Sequence, residues 1–358
     1  MPTMTTHLVL SKNFDVAKLR ADAAAGLMPR HVMFDVADAL DARLWFLMQE
    51  PSGLDGLIDR LLGKITGTPG MWPTLRGLAA AVETDDVVFS PEIFGFVFTV
   101  LCRLRRKRPL LVLDVMAPKR PRVKFALGRP FFTRRVDHYF VNNQDKVDWL
   151  ASLGIDRSQV SVPPDVTDER FMVPAPHTFD PGDPVVVSAG REQRDYVTLA
   201  EAVRGTTWRT RVCAVSANVT RKQAIAMPED VPPNMELRHF DWPEYQELFQ
   251  QSDVVVVPLL EHDYSAGLTV IYEAFAFRKP VIVTQTIGTI DGLVDAGLVI
   301  GVPVGDPEAL ADAIAGLLAD DDARAQLAER GHRYFLANAT TVSFVDWMVK
   351  RLDPVSLR

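Results

Sequence analysis

A chain of 358 residues is long enough for two domains of about 150 residues each, and it can bury a large core without disulfides or metal ions. Hydrophobic residues make up 47% and charged residues 24% of the sequence, which is typical of a globular protein and excludes a disordered, fibrous or disulfide-scaffold class. The net charge of -7 at pH 7 argues against a nucleic-acid partner.

The first half of the chain alternates between short apolar strands and amphipathic helices. Its opening residues, Met1–His7, lack the basic and apolar stretches of a signal peptide. The clearest helix carries apolar residues from Leu54 to Ile65 at spacings of three and four, which places them on one continuous face. Six strands are predicted at or near Leu8–Leu10, Arg43–Leu47, Val87–Ser90, Leu110–Asp114, Tyr139–Asn142 and Gln159–Val162.

A strongly basic segment interrupts this otherwise acidic chain. Residues Arg103–Arg135 contain 12 Lys or Arg and one acid, Asp114, so the segment carries a charge near +11. It follows the apolar run Ile93–Cys102, whose 10 residues fall short of the roughly 20 needed to span a bilayer. Three interpretations stay open here: a peripheral contact with an anionic membrane, a site for an anionic acceptor, or an ordinary solvated face.

The two cysteines are predicted to be reduced thiols. Cys102 and Cys213 are too few for a disulfide framework, and neither has the CxxC or CxxxC spacing that could start a zinc site. We therefore expect a cytoplasmic protein, with the basic segment as the candidate for contact with the inner face of the membrane.

A proline-rich linker separates the two halves. Pro174, Pro176, Pro181 and Pro184 surround Gly182, a composition that neither a helix nor a central strand tolerates. The pattern then restarts with six more strands, several of them nearly continuous valine and isoleucine, as expected for strands buried on both faces. They are predicted at Val185–Ser188, Arg211–Val215, Glu236–His239, Asp253–Val257, Val281–Thr284 and Leu298–Val302.

The alternation predicts an α/β fold with two Rossmann-like parallel-sheet domains facing across a cleft. The expected division is 1–175 for the first domain, 176–335 for the second and 336–358 for a C-terminal helix that packs back towards the first. Ligands of open parallel sheets bind beyond the carboxyl ends of the strands, so functional residues are expected at strand-to-helix junctions.

The segment around Gly267 is the most informative part of the sequence. It follows a strand, and Gly267 stands where the chain enters a helix. Free amide groups near Gly267, Leu268 and Thr269 would form an anion site suited to a diphosphate. Glu273 lies about two turns further on, roughly 9 Å along the helix axis, where a carboxylate could accept hydrogen bonds from ribose hydroxyls.

This segment resembles the donor domain of the retaining GT-B glycosyltransferases of family 4, also called glycosyl transferases group 1, which carry an E-x7-E motif. Glu273 and the following alanine match the second acid, and Lys279–Ile282 match the residues after it. Ser265 replaces the first acid, and Arg278 stands where the family has glycine. The resemblance implies that Glu273 holds the donor ribose. It also implies that Ser265, or Glu261 if the loop between them bulges, contacts the donor sugar.

Other stretches carry the same resemblance in the family's order. Gly190, Arg191 and Arg194 match a G-R-x-x-x-x-K-G element that is two residues shorter here and has arginine in the lysine position. This match implies that both arginines neutralise a diphosphate leaving group, a role suited to guanidinium groups. Residues Leu237–Leu248 resemble the loop and helix that line the nucleobase, with Trp242 as the candidate base platform.

The first half resembles the family only in outline. Residues Ser11–Phe14 replace a glycine-rich loop after the first strand, and Asn13 among them is the candidate on the acceptor side. A histidine usual at the end of the fourth strand is missing, and Asp114 and Met116 occupy that region. Asp114 is therefore the candidate catalytic group of this domain.

The resemblance implies a glycosyltransferase that moves a sugar from a nucleoside diphosphate, UDP in preference to GDP, to an acceptor hydroxyl with retention of configuration. It also implies that neither a metal nor a cofactor is needed, since preorganised positive charge can stabilise the departing diphosphate. The acceptor stays open among polysaccharide, lipid-linked and natural-product hydroxyls. Alternatives are a catalytically silent GT-B module that binds a nucleotide or a partner protein, and a nucleotide-sugar epimerase. A dehydrogenase is disfavoured because no GxGxxG follows the first strand.

Overall fold

The computed structural model describes residues 4–47, 51–115, 134–214, 225–262, 266–286 and 289–357. These residues form two compact units, each with its own parallel sheet. The first unit consists of residues 1–21, 31–164 and 344–358, and the second of residues 22–30 and 165–343.

A six-stranded sheet forms the centre of the first unit. Its strands are β1 (Thr6–Val9), β2 (Arg43–Trp45), β3 (Val87–Pro91), β4 (Leu110–Val115), β5 (His138–Val141) and β6 (Val160–Ser161). Their order is β2-β1-β3-β4-β5-β6, and every neighbouring pair is parallel. The helices are α1 (Val16–Ala24), α2 (Val32–Ala39), α3 (Gly53–Thr66), α4 (Met71–Ala81), α5 (Glu92–Leu104) and α6 (Gln144–Ser152), with a 3-10 turn at Arg157–Gln159.

The predicted helix in this unit is present as α3, but its apolar stripe is only partly covered. Leu62 packs against the core that α4 and α5 form on the sheet. Leu54, Leu57 and Leu61 are 72%, 60% and 63% exposed. The spacing of three and four therefore predicted the helix correctly, while the neighbouring elements leave much of its apolar face uncovered.

A second six-stranded parallel sheet forms the centre of the second unit. The strands of this unit are β7 (Val185–Ala189), β8 (Arg194–Asp195), β9 (Arg209–Cys213), β10 (Ile225–Ala226), β11 (Met235–Arg238), β12 (Val254–Val257), β13 (Val281–Thr284) and β14 (Ile300–Val302). The main sheet has the order β11-β9-β7-β12-β13-β14, and β8 and β10 form a separate two-stranded ladder.

Helices cover both faces of this second sheet, as continuous valine strands require. They are α7 (Tyr196–Val203), α8 (Trp242–Gln250), α9 (Leu268–Ala276), α10 (Thr289–Asp295), α11 (Pro307–Ala319) and α12 (Asp321–Asn338). The chain ends with α13 (Thr341–Arg351) and α14 (Pro354–Leu357). From Phe344 onward these residues belong to the first unit, where Trp347 packs against Phe140 of β5.

The predicted α/β class and all twelve predicted strands are confirmed, each within about two residues at either end. Val215, the last residue of one predicted strand, lies outside the described residues. The two-residue strands β8 and β10 were not predicted, because two residues are too few to show a periodic pattern.

The proline-rich linker is held against the second unit. His177 Nε2 lies 2.7 Å from Asp253 Oδ1, and the other oxygen of Asp253 accepts a hydrogen bond from the Val185 amide at 2.7 Å. The Arg324 guanidinium lies 3.9 Å from the ring centre of Phe179. These contacts fix residues 174–184 along the start of the second sheet.

A partly buried ion pair joins three separate chain segments of the second unit. Arg30 donates to Asp168 from its amide, Nε and Nη2 at 2.7, 2.9 and 2.6 Å, and Nη2 also reaches Glu169 at 2.9 Å. Glu169 in turn accepts from the Thr341 amide at 2.7 Å. The segment 22–30 is thereby attached to residues 165–343, which explains why it belongs to this unit.

Candidate functional site

The strand order of the second sheet reverses between β7 and β12, so the two loops that leave these strands lie side by side. β7 pairs with β12 on one side and with β9 on the other. In open parallel sheets the crevice at such a reversal point is the usual ligand site. The loop after β7 spans residues 190–195, and the loop after β12 runs from residue 258 to the start of α9.

Backbone hydrogen bonds join the two loops. The Leu260 amide donates to the Gln193 carbonyl at 2.9 Å, and the Asp195 amide donates to the Pro258 carbonyl at 3.1 Å. His262 Nδ1 lies 2.6 Å from the Leu260 carbonyl, while its Nε2 accepts from the Ala266 amide at 3.3 Å. With Nε2 as the acceptor, Nδ1 is the ring nitrogen placed to donate to the Leu260 carbonyl. The ring therefore connects the two sides of residues 263–265.

Gly190 and Arg194 determine the shape of the first loop together. Gly190 has φ of +99°, and a Cβ there would lie 2.5 Å from Arg194 Nη2. The Arg194 guanidinium donates to the carbonyls of Ala189 and Glu192 at 2.9 and 2.7 Å, and the residue is only 3% exposed. A glycine is thus needed because the guanidinium occupies the space of its side chain.

The two arginines of this loop have different environments, although the sequence predicted one role for both. Arg194 is buried under the loop, where its hydrogen bonds go to backbone carbonyls. Arg191 is half-buried, and among the described residues no hydrogen bond or ion pair involves its guanidinium. The difference arises because the chain between them turns through Gln193, which has a left-handed φ of +54°. The loop itself therefore holds Arg194, while a contact between Arg191 and a diphosphate stays a prediction.

The start of α9 has the geometry expected of an anion site. Gly267 is the N-cap residue with φ of +88°, and a Cβ there would lie 2.9 Å from Val257 Cγ1. Among the described residues no side chain caps the helix, and its first turn contains no acid, so within that part of the chain the amides near Leu268 and Thr269 have no side-chain acceptor. Partial positive charge collects at such a helix start.

Glu273 is a buried carboxylate whose pKa is strongly shifted. It is 7% exposed, and its Oε2 accepts a hydrogen bond of 2.6 Å from the Tyr245 hydroxyl. Burial raises the pKa of Glu273 to about 7, while the Tyr245 hydrogen bond and the Arg194 charge act in the opposite direction. Its predicted contact with a ribose stays a prediction.

Trp242 begins α8, and much of its ring is used in packing. Its ring meets Phe171 and Tyr245 edge to face at 5.8 and 5.7 Å. Asp241 and Glu244 form a reciprocal capping box around this helix start. The predicted base-platform role of Trp242 stays a prediction, and the structure gives the ring a definite place at the edge of the core.

Four more residues were predicted for the donor and acceptor sides: Glu261, Ser265, Asn13 and Asp114. Glu261 is exposed on the loop after β12, and Ser265 lies outside the described residues. Asn13 is exposed after β1 in the first unit. Asp114 is the next-to-last residue of β4, and burial raises its pKa to about 6 while the charge of Lys146 lowers it.

Sequence reasoning missed a lysine beside Asp114. In the sheet register Asp114 pairs with Pro91 on one side and Phe140 on the other. Burial lowers the pKa of Lys146, and the charges of Glu92 and Asp114 raise it, so the three groups interact electrostatically. Glu92 directly follows β3, and this strand-end position could have marked it as a candidate site residue from the sequence. Lys146 lies inside a helix, and only the fold brings it close.

The described part of the chain shows neither a metal-binding group nor a membrane-spanning helix. Among the described residues, no three His, Cys, Asp or Glu side chains form a group that could hold a metal ion. Within the same ranges of the chain, no helix is both long and apolar enough to cross a membrane.

Residues 183–320 match the family described as glycosyl transferases group 1. The resemblance to that family drawn from the sequence is thereby confirmed for the second unit. No curated protein has a detectably similar sequence.

Solved structures similar to this chain include a UDP-glucose complex, a glycosyltransferase and a sucrose-phosphate synthase. Anabaena Alr3699/HepE in complex with UDP-glucose is 14% identical with a TM-score of 0.63, over 98% of this chain and 99% of that one. A glycosyltransferase from Rickettsia africae ESF-5 is 12% identical with a TM-score of 0.64, over 99% of both chains. Sucrose-phosphate synthase from Thermosynechococcus elongatus is 15% identical with a TM-score of 0.62, over 97% of this chain and 98% of that one. The chain therefore has the GT-B fold, as predicted.

Proposed function

We propose that this protein transfers a sugar from a nucleoside diphosphate sugar to an acceptor hydroxyl, with retention of configuration and without a metal ion. One observation carries the proposal: the reversal point of the second sheet combines an uncapped helix start, an available guanidinium and a buried carboxylate. The group 1 family match over residues 183–320 and the UDP-glucose bound to HepE support a sugar nucleotide as donor, with UDP favoured over GDP.

The diphosphate would bind between the start of α9 and the loop after β7. The amides of Leu268 and Thr269 and the Arg191 guanidinium would stabilise negative charge as the sugar departs, which is electrostatic catalysis by preorganised groups. Arg194 would act indirectly: it would hold the loop in the conformation that presents Arg191 to the diphosphate. Ser265 or Glu261 would contact the sugar, and Trp242 would lie near the base.

The diphosphate assignment is tested by replacing the available guanidinium. We expect Arg191→Met to weaken UDP binding by roughly 10-fold or more, since a charge-assisted hydrogen bond contributes about 1.5–3 kcal/mol. Calorimetric titration with UDP measures the effect. Arg209→Met, which removes an exposed arginine elsewhere in the same unit, is the control. Equal affinities in the two variants would refute the role of Arg191.

Retention and metal independence have separate tests. Proton NMR of the product formed from a UDP α-sugar reports the anomeric configuration, and a β product would contradict retention. Turnover in excess EDTA, compared with turnover in magnesium, tests the metal. Loss of activity in EDTA that magnesium restores would contradict metal independence.

The acceptor would bind at the carboxyl edge of the first sheet. Asn13 lies exposed after β1, and Asp114 lies near the carboxyl end of β4, where the charge of Lys146 lowers its pKa. A carboxylate there could orient or deprotonate an acceptor hydroxyl. We expect Asp114→Asn to lower transfer more than donor hydrolysis, which is measured without acceptor. An equal loss of both rates would place Asp114 outside acceptor binding.

A catalytically silent GT-B module is the second candidate. The inward position of Arg194 favours the silent module. Its guanidinium is bonded to the loop, so only one of the two arginines predicted to neutralise the leaving group would remain for that role. Release of free sugar from a UDP-sugar panel distinguishes the two candidates. Nucleotide binding with no hydrolysis and no transfer across the panel would favour the silent module.

A peripheral contact with anionic membrane is proposed for the described part of the basic segment. Arg103, Arg105 and Arg106 are exposed around Leu104, which is 76% exposed. Basic residues near an anionic surface contribute about 1 kcal/mol each. We expect a cytoplasmic protein that sediments with phosphatidylglycerol vesicles at low salt and less with phosphatidylcholine vesicles. Equal recovery with both would contradict the contact. Residues 116–133, the rest of the segment's predicted surface, lie outside the described residues.

A further inference from the structure

Tyr245 is a buried tyrosine whose hydroxyl donates a hydrogen bond to the Glu273 carboxylate. The O–O distance is 2.6 Å, a short bond of the kind made to a charged acceptor. The two residues lie on different helices, α8 and α9, and 28 positions apart in sequence. Nothing in the sequence pattern of either helix announces this contact.

The Tyr245 ring is held firmly by its neighbours. Phe249, one turn along α8, lies 4.8 Å from it between ring centres, and Trp242 meets it edge to face at 5.7 Å. The residue belongs to the core that includes most of α9. Because the packed ring holds the Tyr245 hydroxyl oxygen in one place, the hydrogen bond is kept only in one orientation of the Glu273 carboxylate.

The Glu273 carboxylate otherwise has few restraints. Among the described residues, its one hydrogen bond comes from Tyr245 through Oε2. The terminal torsion of a glutamate is broad and roughly two-fold, so an unrestrained carboxylate would sample several orientations. With Oε2 occupied by Tyr245, Oε1 is the oxygen left for another donor.

We infer that Tyr245 is a positioning residue for the sugar nucleotide: it fixes the Glu273 carboxylate so that one oxygen accepts from the ribose hydroxyls of the donor. This inference rests on the proposed function. The tyrosine itself touches no ligand. Its contribution is selectivity for a ribose that carries both hydroxyls, because a fixed buried acceptor left unpaired by a deoxyribose is costly.

Charge adds to the geometric effect. Tyr245 donates to the ionised carboxylate and so lowers the pKa of Glu273, against burial, which raises it to about 7. Removal of the hydroxyl raises that pKa further. The ionised fraction of Glu273 at neutral pH therefore falls when the hydroxyl is removed.

The test compares UDP with 2′-deoxy-UDP, 3′-deoxy-UDP and inorganic pyrophosphate by calorimetry. The wild type is expected to prefer UDP over at least one deoxy analogue by roughly 10-fold or more. In Tyr245→Phe that preference should fall by at least threefold, while pyrophosphate affinity stays within twofold of wild type. The loss of UDP affinity should shrink at pH 9, where Glu273 is ionised more fully.

Tyr272→Phe is the matched control. Tyr272 is also a buried tyrosine, it precedes Glu273 on the same helix, and its hydroxyl interacts with Asp165 instead. The control should keep the wild-type preference. In a Glu273→Ala background, which leaves the Tyr245 hydroxyl no side-chain acceptor at position 273, Tyr245→Phe should have no further effect on the preference. If Tyr245→Phe loses cooperative unfolding, Tyr245→Met fills the same space without a donor, and the same ratios are measured on it.

The outcomes separate the inference from the proposed function. A wild-type preference that persists in Tyr245→Phe overturns the inference and leaves donor binding intact. UDP binding without any preference over the deoxy analogues removes Glu273 from the ribose and overturns the inference as well. Failure of the wild type to bind UDP or GDP refutes the proposed function, and the inference falls with it.

Discussion

Replacement of Gly190 by alanine should destabilise the second unit far more than an alanine at an ordinary left-handed glycine. The φ of +99° costs a residue with a Cβ about 1–3 kcal/mol. The Cβ would also lie 2.5 Å from Arg194 Nη2, so the guanidinium must move away from the carbonyls of Ala189 and Glu192. Weakened hydrogen bonds of a buried charge cost about 1.5–3 kcal/mol, so the total is about 4 kcal/mol.

Urea denaturation followed by tryptophan fluorescence measures this loss, and Gly205→Ala is the control. Gly205 has φ of +76° with nothing within 4 Å of its added Cβ, so its replacement should cost about 1 kcal/mol. In an Arg194→Ala background, where the clash is absent, Gly190→Ala should cost only its backbone strain. Equal losses for the two glycines in the wild-type background would refute the proposed coupling of Gly190 and Arg194.

Three further outcomes are expected. Arg278 has φ of +56°, so Arg278→Gly should stabilise the protein by about 1 kcal/mol in thermal or urea unfolding. Arg278→Ala is the control for the lost contact with Glu329. A glycine variant less stable than the alanine variant would contradict backbone strain at Arg278. Burial raises the pKa of Asp168, but hydrogen bonds from Arg30 lower it below its ordinary value. The resulting stability is present above the unfolded pKa and is lost as pH falls. Arg30→Ala should therefore cost about 1.5–3 kcal/mol near neutral pH, the usual contribution of hydrogen bonds to a charged group. The difference in unfolding free energy from wild type should narrow in acid, and a constant difference across pH would exclude the ion pair as its cause. UDP affinity should rise with pH through about 7 as Glu273 ionises, and a flat profile from pH 6 to 8 would place its titration elsewhere.

The sequence by itself determined the elements and the position of the helix start at which an anion site is predicted. Runs of valine such as β12 can be buried on both faces, and Gly267 between such a strand and an apolar helix predicts an open helix start. Both signals are local, because backbone conformation and hydrophobic periodicity depend on residues close together in the chain. The fold class followed from the repetition of these local patterns.

Only the tertiary structure decided which side chains of the predicted site are buried. Arg191 and Arg194 are indistinguishable by residue type, yet Arg191 is half-buried and Arg194 is buried on either side of the turn at Gln193. Tyr245 and Glu273 meet across two helices because their backbones pack in one core. Burial and long-range pairing depend on the whole packed unit, and they set the charge and orientation on which the proposed chemistry depends.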